Sequence, residues 1–350
     1  MDSTKTSVTK ETKNKIRVDY EGKISLKERL IKKFTTSNTW ITAVVNIMRF
    51  ILMLGVCYVI LYPFFARIAG SFMTKEDVVD ATVSLIPKHF SLDIYKYIIV
   101  ENHYLEAILN TTLLSLACAL IQTMIACLIG YGLAKFKFKG NKLVMMAVVV
   151  TMIIPHGTLK LALIQHFTRF DLLRVLAWDY KGIIEVITGS TLDLSNTFWP
   201  LIILSIFGLA FKNGLYIYLM RQFFKGVPDE LEESAYVDGS GVFRTFFQII
   251  LPLSIPMMIT IFLFSFSWQW TDEFYTTSFF FNTVDKVYLM PDIYTVIPPS
   301  LRADSFAGKA LWENVIQNTA GIMIIAPLVI VYLFCQRYLV QGIERSGLVG

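Results

Sequence analysis

Long apolar runs separated by short polar connections dominate this chain of 350 residues. Roughly 20 predominantly apolar residues are needed to cross the hydrocarbon core of a bilayer. Six segments read as spans, centred on Phe50 to Ile68, Ala107 to Tyr131, Leu143 to Leu163, Trp199 to Met220, Ile249 to Trp268 and Ala320 to Phe334. The third contains Pro155 and the fifth Pro252 and Pro256. Spans tolerate proline because neighbouring helices satisfy the carbonyls it frees. The pattern therefore predicts an all-α polytopic membrane protein.

Composition agrees: 55% of the residues are hydrophobic and 17% charged, against about a quarter charged in soluble domains. The cysteines (Cys57, Cys118, Cys127, Cys335) fall inside apolar runs without metal-ligand spacing, and the four histidines are scattered. No metal site is expected, and nothing points to nucleic acid. The polar N-terminal tail lacks the apolar core of a secretion signal.

Lysine and arginine mark the cytoplasmic side of a span. Residues 1–39 hold ten Lys/Arg against five Asp/Glu, and "GLAKFKFKGNK" after the second span adds four lysines and no acid. Residues 70–106 and 271–313 each hold three Lys/Arg against six acids, while 157–198 is balanced at four each. The N-terminal tail (1–40), the second and fourth connections and the C-terminus are thus expected in the cytoplasm. "ISLKERLIKKF" in the tail suits either an amphipathic helix held by anionic lipid or a solvated segment.

The fourth connection, "RQFFKGVPDELEESAYVDGSGVFRTFFQIILPLSIPMM" (221–258), holds five carboxylates between two spans. Pro228 suits a first helical turn, and Asp229 and Glu230 then lie where the helix dipole favours negative charge. "ELEESAYV" continues the helix, and Gly239 ends it because glycine adopts the left-handed C-terminal conformation at little cost. A second short helix, "GVFRTFFQII", runs into the fifth span. The product is a compact knob continuous with two spans, whose small Ser234, Ala235 and Gly239 allow another backbone to approach. Taken alone, the pattern also fits an ordinary amphipathic connection.

The order of residues narrows this. "EESAYVDGS" followed by "IILPLSIP" resembles the coupling motif of ABC importer permeases: Glu-Ala-Ala, a glycine four residues on, then Ile-x-Leu-Pro. Glu233, Ser234 and Ala235, preceded by Glu232, stand at the first positions, with Asp238, Gly239, Leu251 and Pro252 after them. Ser234 in place of alanine is the one departure. "YPFF", "NTTLLSLACALIQTMIACLIGYGLAKFKFKG", "MIIP" and the final "QRYLVQGIERSGLVG" resemble carbohydrate-uptake permeases, the tail matching the maltose-type second permease subunit. The resemblance covers about residues 60–350; the first 40 have no counterpart, and 171–198 is longer than usual.

The resemblance implies the six-helix type I importer permease fold over 41–350, with a coupling loop at 221–252 and a cytoplasmic tail at 336–350. It implies a bacterial plasma-membrane subunit paired with a second, homologous permease. Two ATPase subunits that bind ATP and Mg would sit beneath, and an extracytoplasmic binding protein would deliver a sugar, an oligosaccharide or polysaccharide fragment. The knob would dock on one ATPase, and Gln336, Arg337, Gly342 and Gly347 would reach between the two. A non-sugar solute such as a glycerophosphodiester would use the same motif. A stand-alone secondary transporter would show inverted repeats and several intramembrane charges. The sequence contains no GxxxxGK[ST] phosphate loop and no nucleophile or paired-carboxylate constellation, so no cofactor and no enzymatic activity are expected of this chain.

Charged groups inside spans are functional candidates. Lys212 and Asn213, in "FGLAFKNGLYIYLM", either face a translocation path or mark a lysine reaching the surface at an irregular helix start. Asn110 either lines the path or packs helices. Trp268 and Trp270, in "FSWQWTDEFYTTSFFF", either stack on sugar rings or belong to the interfacial aromatic belt.

Overall fold

The computed structural model describes residues 9–11, 17–19, 37–171, 182–281, 286–302 and 307–345. The amphipathic helix considered at 24–34 lies outside the described residues. The chain divides into two units, Met1–Ala66 and Arg67–Gly350. In the first, β1 (Thr9–Glu11) pairs antiparallel with β2 (Arg17–Asp19), Thr9 facing Asp19, and most of α1 (Ser37–Gly70) follows. Apolar side chains from Trp40 to Ile68 are exposed around α1, as suits a helix meant for a hydrocarbon surrounding.

The second unit begins with α2 (Lys75–Val79) and α3 (Asp93–Glu101), then the long α4 (Tyr104–Lys135). Next come α5 (Asn141–Ile153), α6 (His156–Thr168), α7 (Ile183–Thr188), α8 (Trp199–Ile206) and α9 (Asn213–Lys225). The knob follows as α10 (Glu230–Val237) and α11 (Val242–Thr245), which passes through a π turn at Phe246–Ile250 into α12 (Leu251–Trp270). The remainder is α13 (Phe274–Phe279), α14 (Met290–Thr295) and α15 (Lys309–Arg345).

The axis of this unit is α4, packed by α8, α9 and α12. Its buried positions recur every three or four residues and are mostly small, among them Thr111, Ser115, Ala119, Ala126 and Gly130. Small residues let backbones approach where the lipid leaves no hydrophobic drive between helices. A Cβ on Gly130 would lie 2.6 Å from the Met220 Cβ and 3.0 Å from the Arg221 nitrogen, so α9 crosses α4 in backbone contact. Polar glue sits halfway up: Gln122 Nε2 donates to Ser205 Oγ at 3.1 Å and its Oε1 accepts from Ser265 Oγ at 2.7 Å. One buried carboxamide thereby ties α4 to α8 and α12.

Two expected spans differ from the sequence reading. Among the described residues four helices are long and apolar enough to cross a membrane, or five if one bent pair counts as a span. That pair is the expected span at 143–163, which turns by 99° between α5 and α6. The cause is Pro155: its ring disfavours the helical conformation of the preceding residue, and Ile154 is extended at ψ 121°. The expected span at 199–220 is two helices, α8 and α9, separated by a turn with Gly208 (φ 71°) and Lys212 (φ 64°) left-handed.

Candidate functional site

The knob forms as its sequence dictates. Ser240 N–H bonds to the Ala235 carbonyl at 2.9 Å and Gly239 N–H to that of Tyr236 at 3.0 Å. With Gly239 at φ 82°, this is the glycine-terminated C-cap that satisfies the last carbonyls of a helix. α10 thus stops after two turns, and after residues 238–241 the chain runs without a break from α11 through the π turn into α12.

One cation anchors the knob to the end of α4. Lys135 Nζ donates to the Val227 carbonyl at 2.7 Å, meets Asp229 Oδ1 at 2.5 Å and lies 3.7 Å from Glu232 Oε1. The Lys135 side chain is 6% exposed and that of Glu232 is 10%. Tyr131 Oη donates to Glu232 Oε2 at 3.4 Å. The hydrogen bond and charge of Lys135 hold the Asp229 carboxyl below the usual aspartate range. Glu232 and Ala235 therefore face inward, and the small size of Ala235 serves packing within this chain. Glu233, Ser234, Asp238 and Gly239 face outward. Beside them Val237 is 87% exposed and Phe243 80%, an apolar tip on an acidic knob. Leu251 is half-buried and Pro252 lies in the first turn of α12, which begins there.

A second locus lies where the two broken segments meet. A cavity of about 490 Å³ is bounded by Pro155 and His156 at the kink, by Gly208, Lys212 and Asn213 at the other break, and by Tyr275. Asn213 is fully buried, and neither atom of its carboxamide has a hydrogen-bond partner among the described residues. The left-handed backbone of Lys212, at φ 64°, costs about 1–2 kcal/mol. Its Nζ lies 4.8 Å from the Phe211 ring centroid and 5.1 Å from that of Trp268. Phe211 and Trp268 also border a smaller void with Asp272. Burial pushes the Asp272 carboxyl up to about 6, against the N–H groups of Tyr275, Thr276 and Phe274 that favour its charged form.

The structure thus brings Lys212, Asn213 and Trp268 together and separates the other two path candidates from them. Asn110 Nδ2 donates to the Tyr288 carbonyl at 3.1 Å, tying α4 to the segment before α14, and Trp270 Nε1 donates to that of Ile324 at 2.9 Å, tying α12 to α15. In the tail, Gln336 bonds to the Leu333 carbonyl and Arg337 to the Tyr338 hydroxyl, both within α15. Gly342 lies in the last turns of α15, and Gly347 lies outside the described residues. Sequence reasoning missed Lys135 as an anchor, counting it only as a cytoplasmic charge. It also missed Gln122, whose mid-helix position in an apolar run was the available signal.

Comparisons with known proteins bear on the family and the fold. The family described as "Binding-protein-dependent transport system inner membrane component" matches residues 122–345. The polygalacturonan/rhamnogalacturonan transport system permease protein of Bacillus subtilis is 27% identical, over 86% of this chain and 96% of that protein. The maltodextrin transport system permease protein of Streptococcus pneumoniae is also 27% identical, over 93% of this chain and 98% of its own. A solved bacterial ABC transporter involved in import of the acidic polysaccharide alginate shares the fold at a TM-score of 0.63. That likeness covers 87% of this chain and 98% of the solved chain at 21% identity. Because the family match spans more than half of its length, this chain belongs to the inner membrane components of binding-protein-dependent transport systems.

Proposed function

We propose that this chain is the permease subunit of an ATP-driven importer and forms half of a translocation path for a saccharide. The cargo is an oligosaccharide or polysaccharide-derived fragment brought by an extracytoplasmic binding protein. Family membership supports the importer reading, and the two relatives named for polygalacturonan/rhamnogalacturonan and maltodextrin transport support a carbohydrate. In this assembly the chain pairs with a homologous permease above two ATPase subunits, which bind ATP and Mg and perform the hydrolysis. The charge bias of the connections supports cytoplasmic N- and C-termini in a bacterial inner membrane.

The observation that carries the reading is the knob: an exposed apolar tip at Val237 and Phe243 beside outward Glu233 and Gly239, clamped by Lys135 to α4 and continuous with α12. Such a body transmits a push. Closure of the ATPase pair displaces α10, and the helices joined to it rock as a rigid body, opening the path to alternate sides. The C-terminal tail, with Gln336, Arg337, Gly342 and Gly347, reaches between the ATPases. Affinity purification of the tagged chain tests this. It should bring down a second permease and an ATPase, and the complex with its binding protein should accumulate saccharide in liposomes only when ATP is supplied. Saccharide uptake by this chain alone would refute it.

A further inference from the structure

Two helices of the bundle stop at one depth. α5 and α9 have 13 residues each, a length of about 20 Å at roughly 1.5 Å per residue. α5 starts beside Lys139 and Lys142, and α9 ends with Arg221 and Lys225, charges that mark one edge of a bilayer. Both helices therefore end roughly 10 Å short of the opposite edge of a hydrocarbon layer about 30 Å thick. They touch where they end: a Cβ on Gly214 would lie 2.6 Å from Thr151 Oγ1 and 3.0 Å from the Val148 carbonyl oxygen. Past Ile153 the backbone departs at 99° as α6, and before Asn213 the turn with Gly208 interrupts the other segment. The cavity of about 490 Å³ lies in the gap between these breaks.

Its walls are mostly aliphatic, with Met152 and Ile153 from α5, Leu159 and Leu163 from α6, Leu204 from α8 and Leu209 from the turn. No Asp or Glu among the described residues lines it. The polar groups around it are engaged or turned away. Thr151 Oγ1 donates to the Val148 carbonyl at 2.7 Å, and His156 Nδ1 and Tyr275 Oη bond each other at 3.1 Å. The Asn213 carboxamide atoms are buried, and the exposed Lys212 holds its Nζ against Phe211 and Trp268, which do not line the cavity. Ordered water needs two to four polar partners, whereas apolar cavities stay dry and take up apolar molecules. The open side shows Ile153 at 71% exposure and Leu209 at 54%, an aliphatic surface at hydrocarbon depth.

We propose that this cavity is a phospholipid site, in which one acyl chain of the surrounding bilayer lies under α6 against Leu159 and Leu163. Hydrocarbon from the lipid thus completes the packing that the two helix breaks leave open, and its methylenes gain the dispersion contacts of a protein interior. A saccharide would find no free hydrogen-bond partner on these aliphatic walls. The site follows from membership in a membrane family and holds for any cargo.

Native mass spectrometry of the complex, purified with its partner subunits in detergent and titrated with palmitoyl-oleoyl phosphatidylglycerol, tests this. Leu159→Trp fills the cavity and should weaken the tightest lipid site by roughly 10- to 100-fold, the penalty of overpacking at one side chain. Leu161→Trp, on the same helix but 67% exposed and outside the cavity, should leave that site unchanged. Thermal melting gives an independent readout, since a ligand of the folded state raises the melting temperature. Added phosphatidylglycerol should raise it for the wild type and Leu161→Trp more than for Leu159→Trp. Benzoylphenylalanine at Leu163 keeps the test open should Leu159→Trp fail to fold: light should join it to phospholipid that survives detergent washing. Equal lipid retention in wild type and Leu159→Trp, an equal effect of lipid on their melting, or crosslinking of position 163 to the second permease or to saccharide in place of lipid overturns the proposal.

Discussion

Replacing Lys135 with methionine isolates the mechanical role of the clamp. Methionine fills the space of the lysine stem and removes only the ammonium. The Val227 carbonyl then loses its 2.7 Å partner, and Glu232, with a side chain 10% exposed, keeps only the 3.4 Å bond from Tyr131. Leaving such a buried acceptor unsatisfied costs about 1–3 kcal/mol. Asp229 adds little, because its side chain is 78% exposed and water replaces the lost partner. A coupling loss of that size loosens the knob from α4 by roughly 5- to 150-fold. Hydrogen exchange of the purified complex should show amides 229–240 opening faster by that factor, with the α4 amides around Gln122 unchanged. ATP hydrolysed per saccharide imported should rise. Lys139→Met, at an exposed lysine of the same connection, should change neither quantity. If Lys135→Met leaves exchange at 229–240 and the stoichiometry untouched, the clamp does not transmit the push.

Other expectations follow from the same geometry. Gly239 is at φ 82° with open space around it, so Gly239→Val adds about 1–2 kcal/mol of backbone strain; transport should fall while hydrolysis continues and the spans keep their melting temperature. Gly130→Leu forces α9 away from α4 and should cost about 1–3 kcal/mol or more, read as a lower melting temperature, whereas Gly132→Leu, with nothing within 4 Å of its Cβ, should be silent. The Asp272 carboxyl is raised to about 6. Its folded form therefore holds more protons than its unfolded form, and the stability it contributes is present in full below about pH 4 and is lost as pH rises through about 6. Melting should accordingly come at a higher temperature at pH 5 than at pH 7.5, and Asp272→Asn should flatten that difference.

The knob was legible in the sequence because its signals are local. The carboxylates of the first turn and Gly239 fix one short helix and its end, and the structure places that end with Gly239 left-handed; Pro228, expected in the first turn, instead precedes the N-cap Asp229. The break at Lys212–Asn213–Gly214 was legible for the same reason. The clamp was not, since Lys135 and Asp229 stand 94 positions apart and only packing brings them together. Pro155 shows a rule that cuts both ways. Proline is tolerated inside spans, as Pro63 and Pro256 are within α1 and α12, yet at Pro155 the preceding Ile154 is extended and the chain turns by 99°, which leaves α6 to pack against α13. Asn110 and Trp270 likewise present polar groups that suit a path, and their carbonyl partners came from distant segments that no spacing could reveal.

The central claim is that the knob is the surface an ATPase holds. A photoreactive benzoylphenylalanine at Phe243, 80% exposed at the tip, tests it in intact membranes, with the same probe at Ile86, 82% exposed in the acidic connection at 70–106 that the proposed orientation puts on the far side, as the contrast. The account predicts that light crosslinks position 243 to the ATPase subunit, with a yield that changes when ATP is added, and leaves position 86 free of that product. Crosslinking of position 243 to lipid alone, or of position 86 to the ATPase, would contradict it.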